Sequence, residues 1–279
     1  GQLGAGIKDR ASIFRNIAVL AERAREDLGA RGWNISDNAI VEMTGDTNPT
    51  MLRSPNTTVH DGASLFLSTN HSEVVPEIGE NNSFAGDNVI CGMFFGENVL
   101  ASGYGAKPKL GNHNSLGKTS ICGRVQVRDK TSIEDAAILS ISLQEFWQLA
   151  GINQVDTDKM WWLFSQMSTG IRKHLYNDFL LDSTRYPSSI ASNISIGDNV
   201  SIVNTIIIGN CTIGDNVTIK DSIIINSEVG EGAVIDNATV EDSFIDKMVF
   251  LNTVYLNGSV FQAAVIEKST VRGVVIGSI

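Results

Sequence analysis

Residues 194–225 contain the phrase Ile-Gly-Asp-Asn-Val twice, and this repetition limits the possible folds more than any other feature of the chain. Aligning the copies places Ile196 on Ile213 and Ile202 on Ile219, with the same offset for both pairs. Within each copy, large aliphatic residues recur every six positions, with one step of five. An amphipathic helix has a period of 3.6 and an alternating strand a period of 2, so neither explains the repeat.

A six-residue period is typical of a chain that turns through short flat sides, each contributing one aliphatic side chain to a shared interior. Gly and Asn suit the corners, because they tolerate left-handed backbone conformations. Ile and Val suit the sides, where β-branched residues stack on neighbouring strands. One turn cannot bury its own inner face, so several must stack. The sequence therefore predicts a mainly β fold, a parallel β-helix or solenoid.

This pattern resembles a known superfamily. The aliphatic-Gly-x-x-Val-x units, with NTIIIGN and DSIII between the copies, are similar to the left-handed β-helix of hexapeptide-repeat proteins. Over about 190–236 the phrasing is most similar to the C-terminal modules of sugar-nucleotide pyrophosphorylases. The resemblance implies a left-handed parallel β-helix and a trimer. It leaves the function open, because acyltransferases, γ-class carbonic anhydrases and regulatory modules share this fold.

The pattern divides the chain into four regions. We predict an N-terminal helix with an irregular lead-in, a first degenerate β-helix segment, a helical insertion and a regular β-helix segment, over 1–71, 72–142, 143–186 and 187–279 respectively. The N-terminal helix is expected from an apolar stripe that ends near Gly29. In the first segment the phrases are unevenly spaced, so Gly-rich antiparallel hairpins are an alternative there.

The insertion and the C-terminal stretch depart from the six-residue repeat. In the insertion, which closes at Pro187, apolar residues recur at helical spacing, namely Trp161, Phe164, Met167, Ile171 and Leu175. Such a stripe usually packs into a core, and the insertion is a candidate cap for an open end of the stack. From Val240 onward the apolar residues step by five, which is typical of a tighter continuation or of a pentapeptide-type solenoid. We favour continuation, because no linker intervenes.

Composition argues against several classes of partner. The chain has 279 residues, a net charge of −10 and no run of Lys or Arg, so nucleic acid is not an expected partner. It has no membrane-length apolar run and no signal-peptide core, and we expect a soluble, cytoplasmic protein without membrane partners. Three unclustered cysteines favour free thiols in a reducing compartment.

The candidate chemistry lies within 107–118, a short basic stretch that contains a histidine. His113 is a candidate catalytic base, because the pKa of imidazole lies near neutrality. The candidate substrate-binding residues, suited to one anionic ligand, are Lys107, Lys109, Asn112 and Lys118. An exposed corner without a catalytic role is the alternative for this stretch. The four histidines are not closely spaced, so no metal site is expected, and no cofactor is expected either.

Three functions remain open, and whether the chain is an enzyme is one of the open points. The first is a β-helix protein or module related to sugar-nucleotide transferases of the nucleotidyltransferase type, in carbohydrate metabolism. The α/β domain with a Gly-rich phosphate loop is not found, so the resemblance implies the solenoid part of a longer enzyme or a relative without that domain.

The second function is an acyl-CoA-dependent acyltransferase. The resemblance implies that His113 would deprotonate an acceptor, which then attacks the thioester. The third is a non-enzymatic scaffold, which should carry broad apolar outer faces. The expected partners are therefore a sugar nucleotide or acyl-CoA, together with other copies of the chain in a homo-oligomer.

Overall fold

The computed structural model describes residues 24–45, 49–69, 75–94, 105–140 and 193–245, and the backbone of short strands between 251 and 276. These residues form mainly parallel β-structure. Residues 24–29 are helical, so the predicted helix ends at Gly29 as expected. A short 3-10 helix spans Pro49–Met51. Among the described residues, no helix has the length and apolar character needed to cross a membrane. The predicted insertion, 143–186, lies outside the described residues.

Two columns of parallel strands make up an 18-stranded sheet. The strands of the first column are β1 (Asn34–Ile35), β3 (Thr58–Val59), β6 (Ser83–Ala85), β16 (Thr218–Lys220), β19 (Val234–Asp236), β22 (Leu251–Asn252) and β25 (Val265–Glu267). Those of the second column are β2 (Ile40–Gly45), β4 (Ser64–Thr69), β7 (Asp87–Phe94), β17 (Ile223–Ile225), β20 (Thr239–Glu241), β23 (Tyr255–Asn257) and β26 (Thr270–Arg272). Three longer strands run through both columns: β10 (Ser115–Cys122), β12 (Ser132–Leu139) and β14 (Ser201–Ile208).

A nine-stranded sheet forms the third column. Its strands are β5 (Glu77–Ile78), β9 (Lys109–Leu110), β11 (Val125–Val127), β13 (Ile194–Ile196), β15 (Cys211–Ile213), β18 (Glu228–Val229), β21 (Phe244–Ile245), β24 (Val260–Phe261) and β27 (Val275–Ile276). We call one set of neighbouring strands, one from each column, a rung. The remaining strand, β8 (Gly105–Ala106), pairs with the end of β7 in antiparallel fashion.

The strand register agrees with the alignment of the repeated phrase. Ile196 pairs with Ile213 and Ile202 with Ile219, at the offset that the alignment predicts. The pairing also continues across the predicted insertion, because β11 pairs with β13 and β12 with β14. Three parallel columns around a shared core are compatible with a β-helix.

The rungs become shorter toward the C-terminus. Compared with Ile196 and Ile213, the offset between register partners is one position shorter for Thr212 with Glu228 and two positions shorter for Val260 with Val275. The shortest of these offsets corresponds to three five-residue sides. The strands with five-residue spacing therefore belong to the same sheets as the strands with six-residue spacing. The last strands are not stacked in chain order, since β25 lies between β19 and β22.

Parallel pairing begins earlier in the chain than the sequence pattern indicates. β1 pairs with β3 and β3 with β6, so the first column already contains strands from within 1–71, which was predicted to be a helix and an irregular lead-in. Between 72 and 140 the described strands pair in parallel, except for β7 with β8, so antiparallel pairing, the alternative for this segment, is limited to that one pair among them. The aliphatic-Gly phrases are absent from the early rungs, which explains why the repeat was not recognised in them.

The core lies between the columns and is closed at its N-terminal end. Ile138, Ile207 and Ile224 point inward from successive strands and are fully buried. Near the N-terminal end, the ring of Trp33 stacks on that of Phe84 with centroids 6.1 Å apart. Leu28 from the terminal helix is also fully buried in this core. The helix therefore closes one end of the interior.

The repeated phrase forms the corner after the third column. Gly197 is required there, because a Cβ atom would come within 2.9 Å of the backbone nitrogen of Asp215 on the next rung. The backbone N–H of Asp198 donates to Oδ1 of Asp215 at 2.7 Å. Asn199 takes a left-handed conformation with φ of 54°, and Val200 is buried. Each position of the phrase thus has a structural role in the turn.

Candidate functional site

A groove of about 710 Å³ lies beside the third column in the N-terminal half of the protein. It is lined by residues of β5, β9 and β11, by the corners that follow these strands and β13, and by Met51 and Arg53, at the end of the 3-10 helix and just after it. Glu77, Lys109 and Gln126 are register partners on neighbouring strands, so their side chains lie side by side. All three are exposed, while Leu110 and Val127, which follow in sequence, are buried.

The acidic side chains of the groove already have partners. Glu77 forms an ion pair with Lys107. Oδ1 of Asp129 accepts the backbone N–H of Asn112 at 2.8 Å, and Oδ1 of Asp198 accepts the backbone N–H of Asp129 at 3.0 Å. These two aspartates hold successive rungs together. Their positions are therefore determined by the fold, whether or not a ligand is present.

The basic side chains of the groove are not engaged in the same way. Arg53, Lys109 and Arg128 are exposed and line the groove. Within the part of the chain that the structure describes, the side chains of these three residues form no ion pair and no hydrogen bond. A guanidinium group offers a planar fork of donors that suits a phosphate or carboxylate. The groove can therefore present three positive charges to an anion.

The structure separates the predicted substrate-binding residues. Lys109 lines the groove, and Lys107 pairs with Glu77 at its side. Oδ1 of Asn112 accepts the backbone N–H of Glu80 at 2.8 Å, so this amide joins two rungs at the corner. Lys118 lies at a different corner, between the first two columns, where it is exposed and has a φ of 50°. It is not among the residues that line the groove.

His113 occupies the left-handed position of the corner that follows β9. It is exposed, with a φ of 58°, and its backbone N–H donates to the carbonyl oxygen of Glu80 at 3.0 Å. Asn199 and Asn216 occupy the matching position in later rungs, also with positive φ. His113 does not line the groove. Its predicted role as a catalytic base remains a prediction.

Sequence reasoning missed the two arginines of the groove. Arg53 follows the 3-10 helix and is distant in sequence from the other basic residues. Arg128 stands where most of the related corners have Gly, as the alignment of Val-Arg-Asp-Lys-Thr (127–131) with Ile-Gly-Asp-Asn-Val shows. The replacement of a corner glycine by arginine is a signal that could have identified this residue.

One carboxyl group at the corner between the first and second columns is unusual. Burial raises the pKa of Asp135 above its ordinary value, and nearby Lys118 opposes this effect. Oδ1 of Asp135 is buried without a hydrogen-bond partner, as is Oδ1 of Asn204, the residue at the same corner of the next rung. Asn204 Nδ2 donates to Oδ1 of Asp221 at 2.6 Å. The charge on Asp135 is therefore poorly compensated.

Neither the thiols nor any acidic cluster suggests a metal centre. Cys122 and Cys211 are buried thiols that form no disulfide, and burial raises the pKa of Cys211 to about 12. Within the described ranges, no group of three or more His, Cys, Asp or Glu side chains is arranged to hold a metal ion.

Comparison with known proteins adds no relative to this description. A scan against protein-family models finds no match, and a search of curated proteins finds no similar sequence. The assignment to the hexapeptide-repeat superfamily therefore stays a prediction, supported by the repeated phrases and compatible with the parallel strand pairing.

Proposed function

We propose that the chain is a left-handed β-helix protein or module related to sugar-nucleotide transferases, and that the groove binds the phosphate-bearing part of a sugar phosphate or sugar nucleotide. The observation that carries this proposal is the convergence of Arg53, Lys109 and Arg128 on one groove whose acidic residues already have partners. The repeated phrase and the parallel register support the fold assignment.

The lining of the groove also suits the rest of such a ligand. Gln126 offers an amide that can donate to and accept from sugar hydroxyl groups. Gly79 and Gly111 also line the groove, although the space left by their missing side chains is filled by the next rung and not by a ligand. The volume of about 710 Å³ lies within the usual range for small-molecule sites. We therefore expect weak or moderate binding of one ligand rather than of a polymer.

Acyl transfer is the second candidate function, because His113 is exposed and belongs to the corner that follows Lys109. His113→Asn tests it cleanly, since Asn fills the same left-handed position in other rungs and should preserve the fold. An acyltransferase would lose its activity with this substitution. Unchanged transfer from acetyl-CoA would exclude His113 as the base.

The scaffold alternative receives less support. The outward isoleucines of the TIII and SIII stretches, such as Ile206 and Ile223, are at most 5% exposed. In the described residues, the large apolar side chains that are exposed belong to four different elements: Ile40 in β2, Met51 in the 3-10 helix, Val234 in β19 and Phe244 in β21. A broad exposed apolar face, which a scaffold of this type needs, is thus not observed among them.

The test of the proposed function is a thermal-shift panel with sugar phosphates, sugar nucleotides, nucleoside triphosphates and acetyl-CoA. A ligand that binds only the folded state raises the apparent melting temperature. We expect a shift with sugar phosphates or sugar nucleotides that is lost in the double variant Arg53→Ala/Arg128→Ala. Lys220→Ala, which removes an exposed positive charge on the first column, is the control and should keep the shift. Shifts that survive in the double variant would contradict the assignment of the groove.

A further inference from the structure

The outer side of the second column is apolar. Side chains alternate between the two faces of a strand, and Ile138, Ile207 and Ile224 point into the core. Their neighbours in the sequence therefore point outward. Six neighbouring strands, from β4 to β17, each contribute an outward residue to what we call the second-column outer face: Phe66, Val89, Cys122, Leu139, Ile206 and Ile223.

These outward side chains are buried, although they lie outside the core cluster. Each is at most 5% exposed, and Leu139 and Ile206 are fully buried. The outward residues of the other two columns behave differently, since Ser132 of the first column and Gln126 of the third are exposed. The second-column outer face is therefore covered within a single chain.

The described strands do not supply this cover. With the exception of β8, they are all used in the three columns, and the N-terminal helix inserts Leu28 into the core. Parts of the chain outside the described residues are the remaining candidates for this cover. The longest such stretch is 141–192.

The ends of 141–192 lie beside this face. The stretch follows Ser140, directly after Leu139 at the end of a second-column strand. It returns at Asn193, just before Ile194–Ile196 in the third column. Both ends are thus at the corner between these columns. The strands on either side, β12 and β14, carry Leu139 and Ile206, two of the most completely buried residues of the face.

The length of the face matches the apolar stripe of this stretch. Six strands give five spacings of about 4.8 Å, or about 24 Å across the face. A helix from Trp161 to Leu175 would measure about 22 Å at 1.5 Å per residue. Beyond the six strands the face becomes charged, because Glu42 pairs with Phe66 at one end and Glu241 with Ile225 at the other.

We propose that the second-column outer face is the docking surface for 141–192 of the same chain, with the Trp161–Leu175 stripe lying across the strands. The stretch then covers a flat side of the stack rather than its open end, and it keeps this apolar side from associating with other proteins. This inference is independent of the ligand that the groove binds.

The test uses the natural thiols of the full chain. Cys122 belongs to the second-column outer face, whereas Cys211 points into the core. The double variant Trp161→Asp/Phe164→Asp places charges in the proposed contact. Exposure of the face by this local change should raise the rate at which N-ethylmaleimide labels Cys122 by at least about tenfold, with Cys211 still protected. Gln166→Asp, on the opposite side of the predicted helix, is the control and should leave both rates unchanged.

Protection of Cys122 in a folded double variant would overturn the proposal. The proposal would also be wrong if Cys122 of the natural protein were labelled faster after dilution of the protein, because a second copy of the chain would then cover the face. If the double variant unfolds, Cys211 is labelled as well. The proposal is then tested with photo-methionine at Met167 in the otherwise natural chain. Cross-links from Met167 to β12, β14 or β17 support the proposal, and cross-links only to other parts of the chain overturn it.

Discussion

The corner after the third column is built differently before and after residues 141–192. The residue that points inward at this corner is polar in the earlier rungs and aliphatic in the later ones: Asn82, Asn114 and Thr131 against Val200, Val217 and Ala233. All six are nearly completely buried. One backbone geometry thus accepts two kinds of interior.

Hydrogen bonds between rungs compensate for the buried polar groups. The backbone N–H of Asn114 donates to Oδ1 of Asn82 at 2.9 Å. Its Nδ2 donates to the carbonyl oxygen of Arg128 at 2.6 Å, and its Oδ1 accepts the N–H of Thr131 at 2.9 Å. The later rungs need no such partners, because aliphatic burial stabilises them directly. The difference shows that the repeat is defined by the turn of the backbone and not by an apolar interior.

The largest effect is expected where a polar corner loses its side-chain bonds. Asn114→Val leaves the carbonyl of Arg128 and the N–H of Thr131 buried without their partners. We expect the free energy of unfolding to fall by about 4 kcal/mol, from two unsatisfied groups. Urea denaturation measures this loss. A loss below about 1 kcal/mol would mean that the polar ladder is not required, since that is the net contribution of a single ordinary hydrogen bond.

Glycine substitutions should affect the two regions equally, because both share the same turn. An added Cβ at Gly111 would lie 2.9 Å from the carbonyl carbon of Arg128, and one at Gly197 would lie 2.9 Å from the nitrogen of Asp215. We expect Gly111→Ala and Gly197→Ala each to cost about 2 kcal/mol, as in other overpacked sites. Gly29→Ala, with no atom within 4 Å of its Cβ, is the control. A cost in one region alone would show that the corners differ in their backbones.

The substitution opposite to Asn114→Val, from an aliphatic to a polar corner residue, should lower the free energy of unfolding less. Val217→Asn buries an amide in an aliphatic corner, where it can compete for the N–H of Ala233 and the carbonyl oxygen of Gly230 on the next rung, which are joined by a long hydrogen bond of 3.3 Å. We expect a loss of about 1.5 kcal/mol, mainly from the missing aliphatic burial. Thermal unfolding monitored by circular dichroism measures it. A cost as large as that of Asn114→Val would indicate that the later corners cannot form the polar ladder.

The smallest effect concerns Asp135, at the corner between the first and second columns. Its pKa is raised in the folded state, so its contribution to stability is present below the ordinary carboxyl pKa and is lost as the pH rises through the raised value. Asp135→Asn removes the charge and provides a donor near Oδ1 of Asn204. We expect a gain of about 1 kcal/mol at pH 7, the size of one hydrogen bond, and no gain below the ordinary pKa.

Urea denaturation of this variant at pH 7 and in acid measures both parts of the prediction. Asp236→Asn changes the same charge on the first column and is the control. A gain that persists in acid would show that the carboxyl group of Asp135 is not responsible.

The later rungs were predictable from the sequence because aliphatic residues, such as Ile196, Ile202, Ile213 and Ile219, point inward at a regular spacing. The alignment of Ile196 with Ile213 and of Ile202 with Ile219 gave their register directly. The earlier rungs were predictable only in part, because Asn82 and Asn114 interrupt the apolar period and make sense only once their partners are known. The strands Asn34–Ile35 and Thr58–Val59 were missed for a related reason, since two residues carry almost no period.

The candidate site was predictable only where its residues are close in sequence. Lys109 was identified with its neighbours, whereas Arg53 joins it only through the fold. Conversely, Lys118 is near Lys109 in sequence but lies at another corner. Sequence proximity is a poor guide in a stacked structure, because a residue and its partner on the next rung are separated by a whole turn of the chain, as Val260 and Val275 are.

The central claim is that both kinds of rung belong to one parallel stack that continues across 141–192. Gln126 and Ser195 are register partners across this stretch, on the outer side of the third column. Cysteines at both positions should form a disulfide rapidly under mild oxidation of the folded protein. Cysteines at Gln126 and Thr212, one rung further along, should not. Efficient cross-linking of the second pair, or none of the first, would contradict the account.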